Sequence, residues 1–292
     1  MKNKPLISVV MSVFNDEKFL KNSIDSILNQ SYNNFEFIII DDGSTDSSLS
    51  IIKDYKKIDK RIIVVSKQNT GLTKSLNVGL RLSKGEYIAR IDGDDISHSL
   101  RFEKQINLFK KESQIALIGT NCILIDENGQ QIGRKKYNYP TNYKKIKTNL
   151  LSAYSIFPHS SMMFKTSEIK SLGFFDEYFK KTQDYNLLLN LLSKNKSIKC
   201  LNYDEPLLKI RKHSQQITHN EVDYYKYISL INYYCEMSNV SKISNIFSYN
   251  EILTKLKLDK NFKTILKFNE FRKEIADLYF KKYYLRFINK IS

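Results

Sequence analysis

A chain of 292 residues with 41% hydrophobic and 27% charged side chains has the material for one large globular domain, or for a domain and an appendage. No apolar run reaches the roughly 18 residues of a membrane-spanning helix. Cys122, Cys200 and Cys235, odd in number and far apart, suggest neither a disulfide framework nor a zinc site, and a reducing, cytoplasmic compartment is expected. The net charge of +16 raises the local concentration of anions such as nucleotides, nucleic acid or anionic lipid without choosing among them.

The opening "MKNKPLISVVMSVFND" is basic and then apolar, as a secretion signal is. Its apolar part is β-branched, however, and runs into turn residues without a small-residue cleavage site. It reads as a buried first strand over 6–14. Asn15 and Asp16 then offer helix caps, and Phe19, Leu20, Ile24, Ile27 and Leu28 recur at helical spacing over 17–30. "FEFIIIDDGSTDSS" repeats the arrangement, with a strand over 35–40, a cap at Asp46 and a helix to about residue 57. "RIIVVSK" predicts a third strand, "GLTKSLNVGLRLSKG" a third helix ended by Gly85, and "EYIARID" a fourth strand. Such alternation implies a mainly parallel sheet with right-handed crossovers, whose ligand crevice lies beyond the carboxyl ends of the strands.

After residue 100 the alternation weakens. "RFEKQINLFKKE" reads as a helix, and "IALIGTNCILIDENGQQIG" as a strand pair turning at Glu127-Asn128-Gly129. A helix over 142–153, a strand at "HSSMMFK" and an apolar helix over 184–195 follow. The last seventy residues are tyrosine-rich, basic and free of glycine, which predicts a helical appendage from about residue 220.

The acids are unevenly placed. Asp41 and Asp42 follow the second strand, while Asp92, Asp94 and Asp95 follow the fourth, so both groups fall on one sheet edge with Ser12 and Phe14. Like charges this close repel unless something cationic joins them. A hard divalent cation, Mn2+ or Mg2+, takes a few carboxylates and shares its remaining positions with water and phosphate. Asp-x-Asp at a strand end suits it, since alternate residues point the same way. Two solvated acidic loops are the structural alternative.

Four motifs in order, "PLISVVMSVFNDEKFLKNSIDSILNQSYNNFEFIIIDDGSTDSS", "NTGLTKSLNVGL", "GEYIARIDGDDISHSLRFEKQ" and the later "KKTQDYNLLLNLLSK", make the chain resemble glycosyltransferase family 2. The resemblance is dense over residues 5–110 and thin to about 215. It implies the GT-A nucleotide-binding fold, a mainly parallel central sheet flanked by helices, and sugar transfer from a nucleotide diphosphate with inversion. By that resemblance Ser12 and Phe14 flank the base, Asp42 hydrogen-bonds it, and Asp41 supports the turn. Asn69, Gly71 and Lys74 line the nucleotide pocket. Asp92 approaches the ribose or the metal shell, and Asp94, then Asp95, ligates the metal. Arg90 balances the acids, and Arg101 is a buried partner. The family's Glu-Asp pair survives as Gln183-Asp184, making Asp184 the general base; an ordinary helix N-cap is its alternative role. His213 matches a late Arg/His element that ligates the metal or steadies the leaving group. Arg211 and Lys212 would add phosphate-directed charge, and His159 would shape the acceptor pocket.

The implied organisation is a catalytic domain over 1–219, with nucleotide-binding (1–100) and acceptor-binding (101–219) parts, then a helical region over 220–292. The ending "DLYFKKYYLRFINKIS" interleaves aromatics with cations, so it suits either an anionic membrane surface or packing on the body. The implied partners are a nucleotide-sugar donor, with uridine the commonest base among relatives, and a glycan or lipid-linked glycan acceptor of an O-antigen, capsule or lipooligosaccharide. A nucleotidyltransferase would need a glycine-rich basic loop after the first strand, and an oxidoreductase G-x-G-x-x-G there; "SVFNDEKFLK" has neither. A nucleic-acid protein would place cations, not carboxylates, at the ligand edge, so no nucleic acid is expected.

Overall fold

In β1 (Ile7–Val13) all seven side chains are buried, as a strand covered on both faces requires. The structure, a computed structural model, describes residues 4–133, 139–151, 156–194, 199–214 and 229. Around β1 stand α1 (Glu17–Leu28), β2 (Phe35–Asp41), α2 (Ser48–Ile58), β3 (Ile62–Ser66), α3 (Leu72–Leu82) and β4 (Tyr87–Arg90). The strands run parallel in the order β3-β2-β1-β4. Each helix turns one apolar stripe to the sheet; in α1 it is Phe19, Leu20, Ile24 and Ile27. Leu20, Ile24 and Ile27 join Val9, Met11, Phe37 and Ile39 of the sheet, and Phe102 and Ile106 beyond it, in one core cluster.

The second half continues the same sheet. It consists of β5 (Ile96–Ser97), α4 (Arg101–Lys111), β6 (Ile115–Ile125), β7 (Gln131–Ile132), α5 (Tyr143–Leu150), a 3-10 turn at His159–Ser161, β8 (Met163–Lys165), α6 (Thr166–Leu172), α7 (Gln183–Lys194) and β9 (Lys199–Arg211). β8 lies antiparallel between β4 and β6, β9 runs parallel to β6, and β5 closes the far edge against β9. β7 pairs antiparallel with β6 around the turn expected at residues 127–129.

Three elements lie outside the sequence expectation, one of them the two-residue β5. β9 carries Asp204-Glu205-Pro206 in its middle, and its register against β6 shifts at Thr120–Asn121 and again at Asn121–Cys122. Neither alternation nor a continuous apolar run marks such a strand. α6 is too short for a helical period to stand out. "HSSMMFK" is a strand only from Met163, being a 3-10 turn before it. The helical region expected over 220–292 lies outside the described residues apart from Ser229. Among the described residues no helix is long and apolar enough to cross a membrane.

Gly85 does not end α3, which stops at Leu82; it lets the chain pass the backbone of β1. A Cβ there would lie 2.6 Å from the Ser8 nitrogen and 2.7 Å from the Leu6 oxygen. Because backbone atoms cannot step aside, Gly85→Ala is expected to destabilise the fold by about 1–3 kcal/mol. Urea unfolding measures this, and unchanged stability would mean that the β1 edge yields freely.

Candidate functional site: an acidic edge at the strand ends

The turns after β1 and β2 are stitched together by side chains. Asn15, in the left-handed region at φ 57°, accepts the Thr45 amide through Oδ1 at 2.8 Å. Asp46 accepts the amides of Ser48 (2.9 Å) and Glu17 (3.1 Å), so one carboxylate serves the starts of α1 and α2. Asp41 accepts the Ser66 hydroxyl at 2.8 Å and the Ser44 amide at 3.1 Å, holding its own turn. Above them Ser12 is buried and Phe14 is 48% exposed, a ring face open at the mouth of the sheet.

Asp42, expected to bond the base, is 2% exposed. Its carboxylate accepts the Thr70 and Gly71 amides, each at 2.9 Å, and pairs with Lys67. Burial opposes its charge, but Lys67 and the amides outweigh that and hold its carboxyl below the usual range. It thereby anchors the loop that carries Asn69 and Gly71, both exposed, and Lys74 of α3 is exposed as well. Gly71 has φ 93°, a conformation that glycine adopts without strain.

The Asp-x-Asp-Asp segment lies over three buried guanidiniums. Arg90 pairs with Asp92 and donates to the Ile91 carbonyl at 2.6 Å. Arg101 donates to the Arg90 carbonyl at 2.8 Å and to Gln105 Oε1 at 3.1 Å. Arg211, 2% exposed, donates to the carbonyls of Asp94 (3.1 Å), Asp126 and Glu127 (both 3.0 Å), and its guanidinium lies 4.5 Å from the centre of the Phe19 ring. Its expected phosphate-directed charge is therefore turned inward, where it ties the end of β9 to the β6–β7 turn.

Asp95 is also turned inward. It accepts the Arg211 amide at 3.1 Å, lies against Ser160, and is 3% exposed. Burial, then the charges of Asp94 and Asp92, push its carboxyl well above the ordinary range. Asp92 is raised as well, burial outweighing Arg90. Asp94 is partly buried, and its Oδ2 meets His213 Nε2 at 2.9 Å. The imidazole rests on Phe19 with ring centres 5.0 Å apart, and its Nδ1 is buried without a partner.

Asp16 belongs to this cluster, although its sequence position suggests only a helix cap. No side-chain cap bond forms. Its carboxylate instead faces Gly93, where a Cβ would lie 2.5 Å from Oδ2. Burial, with the charges of Asp94 and Asp92, raises its pKa to about 7. The available signal was two adjacent cap-type residues where one helix needs one.

On the acceptor side, Asp184 lies half-buried in the first turn of α7. The helical bonding starts at Thr182, whose carbonyl accepts the Asn186 amide at 3.1 Å, so Asp184 sits inside the helix and is not its N-cap. His159 packs against Arg90 at 3.4 Å and edge-on to Phe175; burial and Arg90 hold its pKa well below the ordinary value, so it is neutral.

The donor set of carboxylates with one imidazole suits Mn2+ or Mg2+. Among the described residues no three His, Cys, Asp or Glu side chains converge as a closed cage. A cation that completes its shell from diphosphate and water needs none.

Comparison with known proteins agrees with this geometry. Residues 8–173 match the family model "Glycosyl transferase family 2". The O-antigen biosynthesis glycosyltransferase WbnJ of Escherichia coli is 35% identical over 223 residues, 76% of this chain and 85% of that one. Among solved structures, S. aureus TarS 1-349 in complex with UDP-GlcNAc superposes with a TM-score of 0.60 at 17% identity, covering 86% of this chain and 78% of that one. The mannosyltransferase PcManGT of Pyrobaculum calidifontis, in complex with GDP-Man and Mn2+, gives a TM-score of 0.58 at 14% identity, covering 82% and 66%.

The raised acids make a stability prediction. Between its ordinary pKa of 3.8 and about 7, Asp16 holds a proton in the folded chain that the unfolded chain has released. Stability is therefore lost as pH rises through that window. Without divalent cations the thermal midpoint should fall from pH 4 towards 7, and Asp16→Asn should reduce the slope. An unchanged slope in the variant would contradict the assignment.

Proposed function

The chain belongs to glycosyl transferase family 2, and we propose that it transfers a sugar, with inversion, from a UDP-sugar to a glycan or lipid-linked glycan of a bacterial surface polysaccharide. The observation that carries this is the pairing of Asp94 with His213, on an acidic edge at the carboxyl ends of parallel strands. The relatives add support: one is named for O-antigen biosynthesis, and solved neighbours hold UDP-GlcNAc or GDP-Man, the latter with Mn2+.

In this proposal Asp94 and His213 hold Mn2+ or Mg2+, with Asp92 and Asp16 beside them. The bound cation would supply charge neutralisation for the departing diphosphate. Asp42 holds the Lys67–Gly71 loop in shape, and the exposed Phe14 ring offers the base a flat apolar face. Asp184 accepts the proton of the acceptor hydroxyl as its oxygen bonds to the anomeric carbon and the bond to the diphosphate oxygen breaks on the opposite side. Held in line, the partners react without the entropy cost of meeting in solution. The net charge of +16 favours an anionic acceptor such as a lipid diphosphate at the inner face of the cytoplasmic membrane.

The test is to incubate the chain with UDP-, GDP- and CDP-sugars, Mn2+ and a panel of glycan acceptors, following diphosphate release and the product anomer by NMR. One donor should give a product of inverted anomeric configuration. Asp184→Asn should cut the rate by about 10²–10⁴-fold. A product that retains the donor's configuration, or full activity in Asp184→Asn, would refute the mechanism.

A further inference from the structure

α3 carries three buried polar side chains, Thr73, Ser75 and Asn77, of which Thr73 and Asn77 stand at i and i+4 and so one above the other. The partners of these two lie on the other half of the chain. Thr73 Oγ1 donates to the Phe179 carbonyl at 2.8 Å. Asn77 Nδ2 donates to the Phe175 carbonyl at 2.9 Å and to Glu177 Oε1 at 3.1 Å, while its Oδ1 accepts the Phe175 amide at 3.0 Å. The Asn77 amide thus pairs with one residue's backbone on both sides, as a neighbouring strand would.

The gripped segment, residues 173–182, links α6 to α7. Two of its residues, Phe174 (φ 73°) and Thr182 (φ 56°), adopt the left-handed conformation that bulky and β-branched side chains avoid. Such residues persist only when their surroundings hold them there, and the bonds from α3 fall between them. Thr182 immediately precedes α7, and Asp184 is the second residue of that helix. The other end of α3 is also fixed, because the Gly71 amide that precedes it bonds to Asp42. α3 is therefore one rigid piece, tied to the nucleotide loop at its start and to the approach to α7 along its buried face.

We propose that Asn77, assisted by Thr73, is a positioning residue that sets Asp184 against the donor site. This rests on Asp184 being the base, as proposed above. Asn77 touches no reacting atom; it fixes the path of Phe175–Phe179 and hence the start of the helix that presents the carboxylate. Without it the Phe175 amide and carbonyl lose their partners, the two strained residues are released, and Asp184 wanders while the nucleotide loop, held by Asp42, stays in place.

The test uses the full chain with Mn2+ and the nucleotide sugar it turns over fastest among UDP-, GDP- and CDP-sugars. Asn77→Ala should keep the affinity for the matching free nucleoside diphosphate within about twofold while kcat falls by about 10²-fold, the penalty of a misplaced group. Combined with Asp184→Asn it should cost almost nothing further, since both changes remove the same contribution. Should Asn77→Ala fail to fold, Thr73→Val serves in its place, with a smaller fall in kcat that Thr73→Ser restores. A collapse in Asp184→Asn alongside wild-type kcat in Asn77→Ala and Thr73→Val overturns the positioning role alone. Wild-type turnover in Asp184→Asn overturns the base assignment and this inference with it. Additive losses in the double variant also overturn it, because they would mark Asn77 as acting elsewhere.

Discussion

Three arginines almost without solvent exposure, Arg90, Arg101 and Arg211, lie beneath the acids that end β4, and the site depends on that arrangement. A buried guanidinium is tolerated only when its donors are met. Here most of them are met, largely by the backbone carbonyls of Arg90, Ile91, Asp94, Asp126, Glu127 and Met162, while Arg101 Nη1 is left without a partner. Those carbonyls belong to segments far apart in sequence, so the arginines weld β4, β9, the β6–β7 turn and the start of β8 into one floor. Arg90 pairs with Asp92 and the Arg211 amide with Asp95, while Asp94 meets His213 and Asp16 is raised by burial beside them. An edge built this way repels itself from above, and a cation with its anionic ligand relieves it.

β9 makes the floor possible. It runs parallel to β6, shifts register first between Ile115 and Leu117 and twice more around Asn121, and ends by bringing Arg211 and, just beyond it, His213 to the acids. The register shifts let a strand containing Pro206 stay paired over thirteen residues. Phe19, on the first turn of α1, completes the assembly as a surface on which both Arg211 and His213 rest. The first and last parts of the described chain thus meet at the site through one aromatic ring.

The first hundred residues are legible because each element there has a single period and a clear stop. β1 and β2 are mostly apolar runs rich in Val and Ile, α1 and α3 have one apolar stripe, and turn residues lie between. The acids after β2 and β4 can be placed on one edge from topology alone, since parallel strands share a carboxyl end. What the pattern does not carry is direction. Asp42, Asp95 and Arg211 stand at the expected places but point into the fold, which only the packing around them decides. Asp16 resembles a cap because its chemistry suits one, and Gly93, the residue that admits its carboxylate, is six strand and helix elements away in sequence. Likewise Thr73 and Asn77 lie on the buried face of an amphipathic helix, where polar residues signal a partner without naming it.

The central claim is that the acidic edge becomes a cation site once a diphosphate is present. Its most direct test follows the electron paramagnetic resonance signal of free Mn2+ as the ion is titrated into the metal-free chain, alone and with UDP, GDP or CDP. The account predicts weak binding to the chain alone and tight binding of a single ion with one of the nucleotides, lost in Asp94→Ala. A free-ion signal that no nucleotide alters, or tight binding that survives Asp94→Ala, would contradict it.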